Sequence, residues 1–213
     1  MTRIAICTAL ALVAGLLSSV APLAAAQPPA PGGPVIVVRQ DALLRSPASQ
    51  VLGNPTGDVT VVEFFDYACP FCKAVEPRLQ AFLKADRKAR LVVEEFPILT
   101  PQSAIASRAA LAAARQGKYA EFHRALMLNR GELDEPAIFQ VAHAVGLDVA
   151  RLRRDMGSPA LAAAIAANLK LARAIGVQGT PTFIIDGRIV TQPSASIDFP
   201  SLAAASRRSH RGG

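Results

Sequence analysis

The chain of 213 residues carries 23 lysines and arginines against 16 aspartates and glutamates, a formal net charge of +7, and 51% of it is hydrophobic. That is enough for one domain with a sizeable core and room for an inserted subdomain. The positive charges are spread as single arginines and the few aromatic residues do not interleave with them, which leaves a nucleic-acid partner without support.

At the N-terminus, Met1-Thr2-Arg3 precedes an almost unbroken apolar stretch over 4–20, and Ala24-Ala25-Ala26 follows. One basic residue, an apolar stretch and a small-x-small exit predict a secretory signal peptide over 1–26, cleaved after Ala26. Cys7 lies at the wrong end for lipid attachment and no twin-arginine pair is present, so general secretion is expected, to a periplasm or the exterior. An uncleaved anchor is the competing reading; Pro22 and the alanine-rich exit speak against it. No later segment is apolar enough to span a bilayer, so the mature chain is not expected to be membrane-spanning. Residues 27–52 are predicted to be a proline-rich spacer and N-terminal arm, with Val35-Ile36-Val37-Val38 a candidate edge strand and 41–50 a short helix or ordered arm. A turn cluster at 53–58 closes the arm.

The first core strand is predicted over 59–65, an apolar run that leads through Cys69-Pro70-Phe71-Cys72 into helical spacing at Val75, Leu79, Phe82 and Leu83. Pro70 suits the first helical position, and Pro77 should kink the helix without ending it. A second strand over 91–96 is closed by Pro97. Alanine-rich helices follow at 103–116, 118–128, 134–145, 148–156 and 158–175, punctuated by Gly117, Gly131, Gly146 and Gly157, with Asp134 and Ser158 as N-caps. Strand character returns in Thr182-Phe183-Ile184-Ile185, Asp186-Gly187 signals a hairpin, and a final short helix ends in Arg207, Arg208, His210 and Arg211, expected to form a frayed, solvated tail. This order predicts an α/β layer with a helical insertion at about 102–175.

Two thiols at a strand-to-helix turn form a redox device. Cys69 falls in the first turn, where unpaired N–H groups and the positive end of the macrodipole favour a thiolate. Cys72 lies about one turn further in, within disulfide range. A zinc site would need four ligands, and beyond the pair the chain offers only Cys7, in the segment expected to be removed, and His123, His143 and His210 without paired spacing. No metal and no cofactor is expected. A non-enzymatic module holding Cu(I) on the two thiolates is an alternative. In the mature chain both cysteines lie in the motif, a pair suited to an oxidising compartment.

The stretches Val61-Val62-Glu63-Phe64-Phe65-Asp66-Tyr67-Ala68-Cys69-Pro70-Phe71-Cys72-Lys73 and Gly179-Thr180-Pro181-Thr182-Phe183-Ile184-Ile185, with Glu95-Phe96-Pro97-Ile98-Leu99 between them, resemble the DsbA-like branch of the thioredoxin superfamily. These are exported bacterial thiol-disulfide oxidoreductases. The resemblance runs over about 53–190 and implies an α/β fold, a thioredoxin-like core sheet with an inserted helical domain, over 53–213. It implies that Cys69 is the exposed nucleophile and Cys72 the buried partner that resolves the mixed disulfide. Pro181 would match the family's cis-proline and, with Thr180, bind substrate backbone; an ordinary proline opening a strand is the competing reading. Glu63, six residues before Cys69, matches an acidic residue buried beneath the active site and would relay the proton of Cys72, unless it faces solvent. Asp66 and Lys73 are expected in solvent. Phe71 stands where the family's namesake has a histidine and offers the thiolate no charge or hydrogen bond, so the helix terminus must do more.

The resemblance further implies a dithiol oxidase that acts on cysteine-containing secreted proteins and is reoxidised by a DsbB-like membrane partner. The alternative is a reductase or isomerase kept reduced by a DsbD-like donor. Residues 27–52 look short for the oligomerisation module that such isomerases carry.

Overall fold

A computed structural model describes residues 49–185 and 187–211. The expected signal peptide, spacer and 35–38 strand lie outside the described residues, as does Asp186. In chain order the structure comprises β1 (Gln50–Gly53), β2 (Val59–Phe65), α1 (Pro70–Ala85), β3 (Ala89–Glu95), α2 (Pro101–Ala114), α3 (Tyr119–Leu128), α4 (Glu135–Ala144), α5 (Val149–Met156), α6 (Pro159–Ala174), β4 (Thr182–Ile185), β5 (Arg188–Ile189) and α7 (Phe199–Arg211). Gln50, expected to end a helix or arm, instead opens β1. The backbone there pairs antiparallel with β3, Gln50 opposite Val93, and covers what would otherwise be an open sheet edge.

The sheet order is β1-β3-β2-β4-β5. Only β2 and β3 run parallel, joined by the crossover helix α1, and β4 returns antiparallel on the other side of β2. The five helices α2 to α6 lie between β3 and β4 in sequence, at the position expected of the insertion. β2 is central and reads as a continuous apolar run because both of its faces are covered. Val61 and Phe65 join the larger core with Leu79 and Phe82 of α1 and Phe199 of α7. Val62 and Phe64 turn to the other face, against Val92, Phe96 and Ala172 of α6.

Helix limits follow local chemistry. Cys69 is the N-cap of α1 and Pro70 its first residue, while Pro77 lies inside the helix without ending it. The same face buries Cys72, Val75, Glu76, Leu79, Phe82 and Leu83. α2 starts two residues earlier than the spacing suggests, because Thr100 caps it by accepting from the Ser103 N–H at 3.1 Å. Asp134 caps α4 as expected; Ser158 makes no capping bond to its helix and its hydroxyl accepts from Arg115 at 3.0 Å instead.

Arg207 corrects the expectation of a frayed tail, while Arg208, His210 and Arg211 are exposed. α7 continues to Arg211, and the Arg207 guanidinium donates to Asp58 at 2.7 Å and to Asp86 at 2.7 Å. Those aspartates sit just ahead of β2 and just after α1, so a single forked side chain ties the last helix to two sheet connections.

Candidate active site

The C-terminal end of β2 delivers Asp66, Tyr67 and Ala68, and the chain then turns into α1 at Cys69. Asp66 is not in solvent as expected but fully buried. Its Oδ1 accepts from the Ala68 N–H at 2.7 Å and the Ser103 hydroxyl at 2.6 Å, and its Oδ2 from the Ile98 and Leu99 N–H groups, each at 2.9 Å. One carboxylate thus fastens the residues ahead of the motif to the segment after β3 and to α2. The Asp-x-N–H pattern was the local signal for it.

Both cysteines are reduced thiols, and Cys72 is 0% exposed. Cys69 is 2% exposed, which corrects the expectation of an open nucleophile. The cause lies far along the chain: the Cys69 thiol donates to the Thr180 carbonyl oxygen at 3.3 Å, so the half-buried Thr180–Pro181 loop covers the sulfur. The Thr180–Pro181 peptide bond is cis, and β4 begins at the next residue. The open members of the motif are Pro70 and Phe71, the latter 64% exposed.

The two thiols are driven apart electrostatically. Cys69 is pulled down from 9.0 to about 6, first by the hydrogen bond from Cys72, then by the Thr180 side chain and the N–H groups of Cys72 and Phe71, against burial. The carbonyl contact opposes ionisation, since only the thiol can donate to it. Cys72 is pushed strongly upward by burial, by its bond to Cys69 and by nearby Glu63. Glu63 is 1% exposed, so it is the buried and not the solvent-facing residue of the two readings. Burial, then Glu76 and Cys69, raise its carboxyl well above the usual range, and its Oε2 has no hydrogen-bond partner among the described residues.

A second polar group was invisible to sequence reasoning. The Tyr67 hydroxyl donates to Glu95 Oε1 at 3.2 Å and lies 3.0 Å from His123 Nδ1, and the Tyr119 hydroxyl donates to the same Glu95 oxygen at 2.8 Å. His123 Nε2 is 3.9 Å from Glu76 Oε2. All five residues are buried; burial lifts Glu95 to about 8 and presses His123 down to about 3. His123 is a neutral core histidine here; Tyr119 stacks on it from one turn earlier in α3, while Tyr67 and Glu76 come from the turn after β2 and from α1, which no spacing rule collects. Lys73, expected in solvent, is half-buried, and its Nζ donates to the Asn129 carbonyl at 2.7 Å.

Among the described residues no three or more His, Cys, Asp or Glu side chains gather as a metal set, and no helix is long and apolar enough to cross a membrane.

The chain and its fold have counterparts among known proteins. The family described as DSBA-like thioredoxin domain matches residues 60–203. The crystal structure of a thioredoxin-like oxidoreductase from Silicibacter pomeroyi is similar, with 43% identity, a TM-score of 0.75, and 82% of this chain and 99% of that one covered. The thiol:disulfide interchange protein DsbA of Bordetella parapertussis is 29% identical over 144 residues, 64% of this chain and 68% of that protein. The Na(+)/H(+) antiporter NhaA 3 of Salinispora tropica is 34% identical over 140 residues, 65% of this chain. The chain spans only 22% of that antiporter's length.

Proposed function

Because the chain belongs to the family of DSBA-like thioredoxin domains, we propose that it is a thiol-disulfide oxidoreductase that introduces disulfides into exported proteins through Cys69 and Cys72. The observation that carries this reading is the asymmetry of the pair: one thiol held near 6, the other buried and held protonated one turn away.

In the oxidised protein a client thiolate attacks the Cys69 sulfur, the Cys69–Cys72 bond breaks, and Cys72 leaves with the electron pair and takes up a proton. A second client thiolate then attacks the client sulfur of the mixed disulfide and releases Cys69 as thiolate. The client loses two thiol protons and two electrons; one proton ends on Cys72, the other passes to solvent, and the enzyme ends reduced with Cys69 as thiolate. Glu63 stands beneath Cys72 as the group that gives and takes its proton. Thr180 and Pro181 flank the sulfur, where an extended client backbone would lie.

A stabilised Cys69 thiolate favours the reduced form, which makes the disulfide form the stronger oxidant and supports the oxidase direction over the reductase or isomerase one. The signal-like N-terminus supports export to a periplasm, where a membrane redox partner would restore the disulfide.

Equilibration of the purified protein with glutathione buffers tests this. An oxidase gives a potential toward the upper end of the range of roughly −270 to −120 mV spanned by such folds, and oxidises a reduced client protein. A value near the lower end would assign the reductase direction, and a Cys69–Cys72 pair that never forms a disulfide would end the proposal.

A further inference from the structure

Next to the motif, on the side of the helical insertion, a cavity of about 180 Å³ opens between the residues ahead of Cys69, the start of α2 and the loop after α3. Tyr67, Ala68, Lys73, Gln102, Ser103 and Glu132 are among its walls, and neither Thr180 nor Pro181 is. It is therefore separate from the loop that covers the sulfur. Its wall at Ala68 adjoins Cys69, so a chain attached at Cys69 reaches it within one or two residues, at about 3.3 Å per extended residue.

Lys73 gives the cavity its chemistry. The ammonium uses one donor on Asn129 and keeps the others, and burial together with Arg130 weakens its hold on its proton. A cation in that condition gains from an incoming anion, because part of its water is already lost. The opposing carboxylate, Glu132, is exposed and screened by solvent. Behind the wall, Glu95, bonded to Tyr67, is pushed toward its neutral form, and the Asp66 carboxylate is held by four donors, the Ala68, Ile98 and Leu99 N–H groups and the Ser103 hydroxyl.

We propose that this cavity is a subsite for an acidic side chain of the client, placed next to its reacting cysteine, with the carboxylate against Lys73. The inference rests on the exchange reading above and adds a preference to it.

The test uses peptides with one cysteine flanked by glutamate, glutamine or lysine, and measures the rate of mixed-disulfide formation with the oxidised wild-type protein and the Lys73→Gln variant. The wild type should favour the glutamate peptide over the lysine peptide by about fivefold more than the variant does, an advantage that shrinks in high salt. Flanking charge also alters the peptide thiol itself, but that effect is common to both proteins and cancels in the comparison. Glu132→Gln, at the exposed rim, should widen the preference and serves as the second variant should Lys73→Gln fold poorly. Equal ratios in wild type, Lys73→Gln and Glu132→Gln would overturn the subsite while leaving the exchange reading intact. Failure of every peptide to react would instead overturn the exchange reading.

Discussion

The sulfur of Cys69 lies 3.3 Å from the carbonyl oxygen of Thr180, a residue 111 positions further along the chain. The proposed nucleophile and the loop that would hold its client are thus already in contact before any client arrives. The contact belongs to the reduced thiol: ionisation of Cys69, or its oxidation to the disulfide that a client attacks, removes the proton that maintains it.

The first expectation concerns pH. The Cys69 thiol is lowered from 9.0 to about 6, chiefly by the bond from Cys72. Alkylation of the reduced protein should therefore rise with a midpoint near 6. The folded value is depressed, so the associated stabilisation of the reduced protein is complete above about 9 and is lost as pH falls through about 6. Alkylation rates and denaturation midpoints over that interval check both statements; an alkylation midpoint near 9 would refute them.

Removing Cys72 should have two effects. Cys72→Ala leaves the mixed disulfide without its resolving thiol, so client complexes accumulate on non-reducing gels, whereas Cys69→Ala accumulates few. The same variant loses the leading cause of the lowered Cys69 value, and the alkylation midpoint should move upward. Equal trapping by the two variants would reverse the assignment of nucleophile and resolver.

Asp66→Ala would leave the Ala68, Ile98 and Leu99 N–H groups and the Ser103 hydroxyl without the carboxylate that accepts from them. A buried donor left unpaired costs about 1 to 3 kcal/mol, and relaxation spares part of the total, so a loss of about 3 kcal/mol in urea denaturation is expected. Because the residues ahead of Cys69 are released at the same time, its thiol titration should broaden or shift. A surface-like loss of about 0.5 kcal/mol or less would mean that the buried carboxylate holds nothing in place.

Glu95 supplies a signature in stability against pH. Burial raises its carboxyl from 4.5 to about 8, so in that interval the folded state holds a proton that the unfolded state has released. The wild type should lose stability relative to Glu95→Gln as pH climbs from about 4.5 to about 8, and the difference should then level off. Parallel curves for the two proteins across that interval would show that Glu95 ionises normally.

What could be read from the sequence was what neighbours in sequence determine. The strand at Val59–Phe65, the proline-led helix after Cys69 and the cap at Asp134 depend on residues within a turn or so of each other, and they stand where expected. The burial of Cys69 depends on Thr180, that of Asp66 on Ile98, Leu99 and Ser103, and the anchoring of α7 on Asp58 and Asp86. Hydrophilic residues near a motif look solvated until the distant segments that cover them are placed. His123 shows the same limit: the sequence offers it only as a histidine without paired ligand spacing, whereas its environment is assembled by Tyr67, Tyr119 and Glu76.

The alternation along β2 constrains how this chain can change. Val61 and Phe65 share a face with Glu63 and the redox helix, while Val62 and Phe64 belong to the opposite core. Letters within 59–65 can be exchanged one at a time, each at its own local cost. A single inserted or deleted residue upstream of Glu63 would act differently, because it would shift the reading frame of the strand and send each downstream side chain to the wrong face. The carboxyl would leave the thiols for an apolar layer, and its place beneath Cys72 would fall to Phe64 after a deletion or to Val62 after an insertion further upstream. Variation in length is therefore expected in the connections around the sheet, and the strand that carries the chemistry should keep its count.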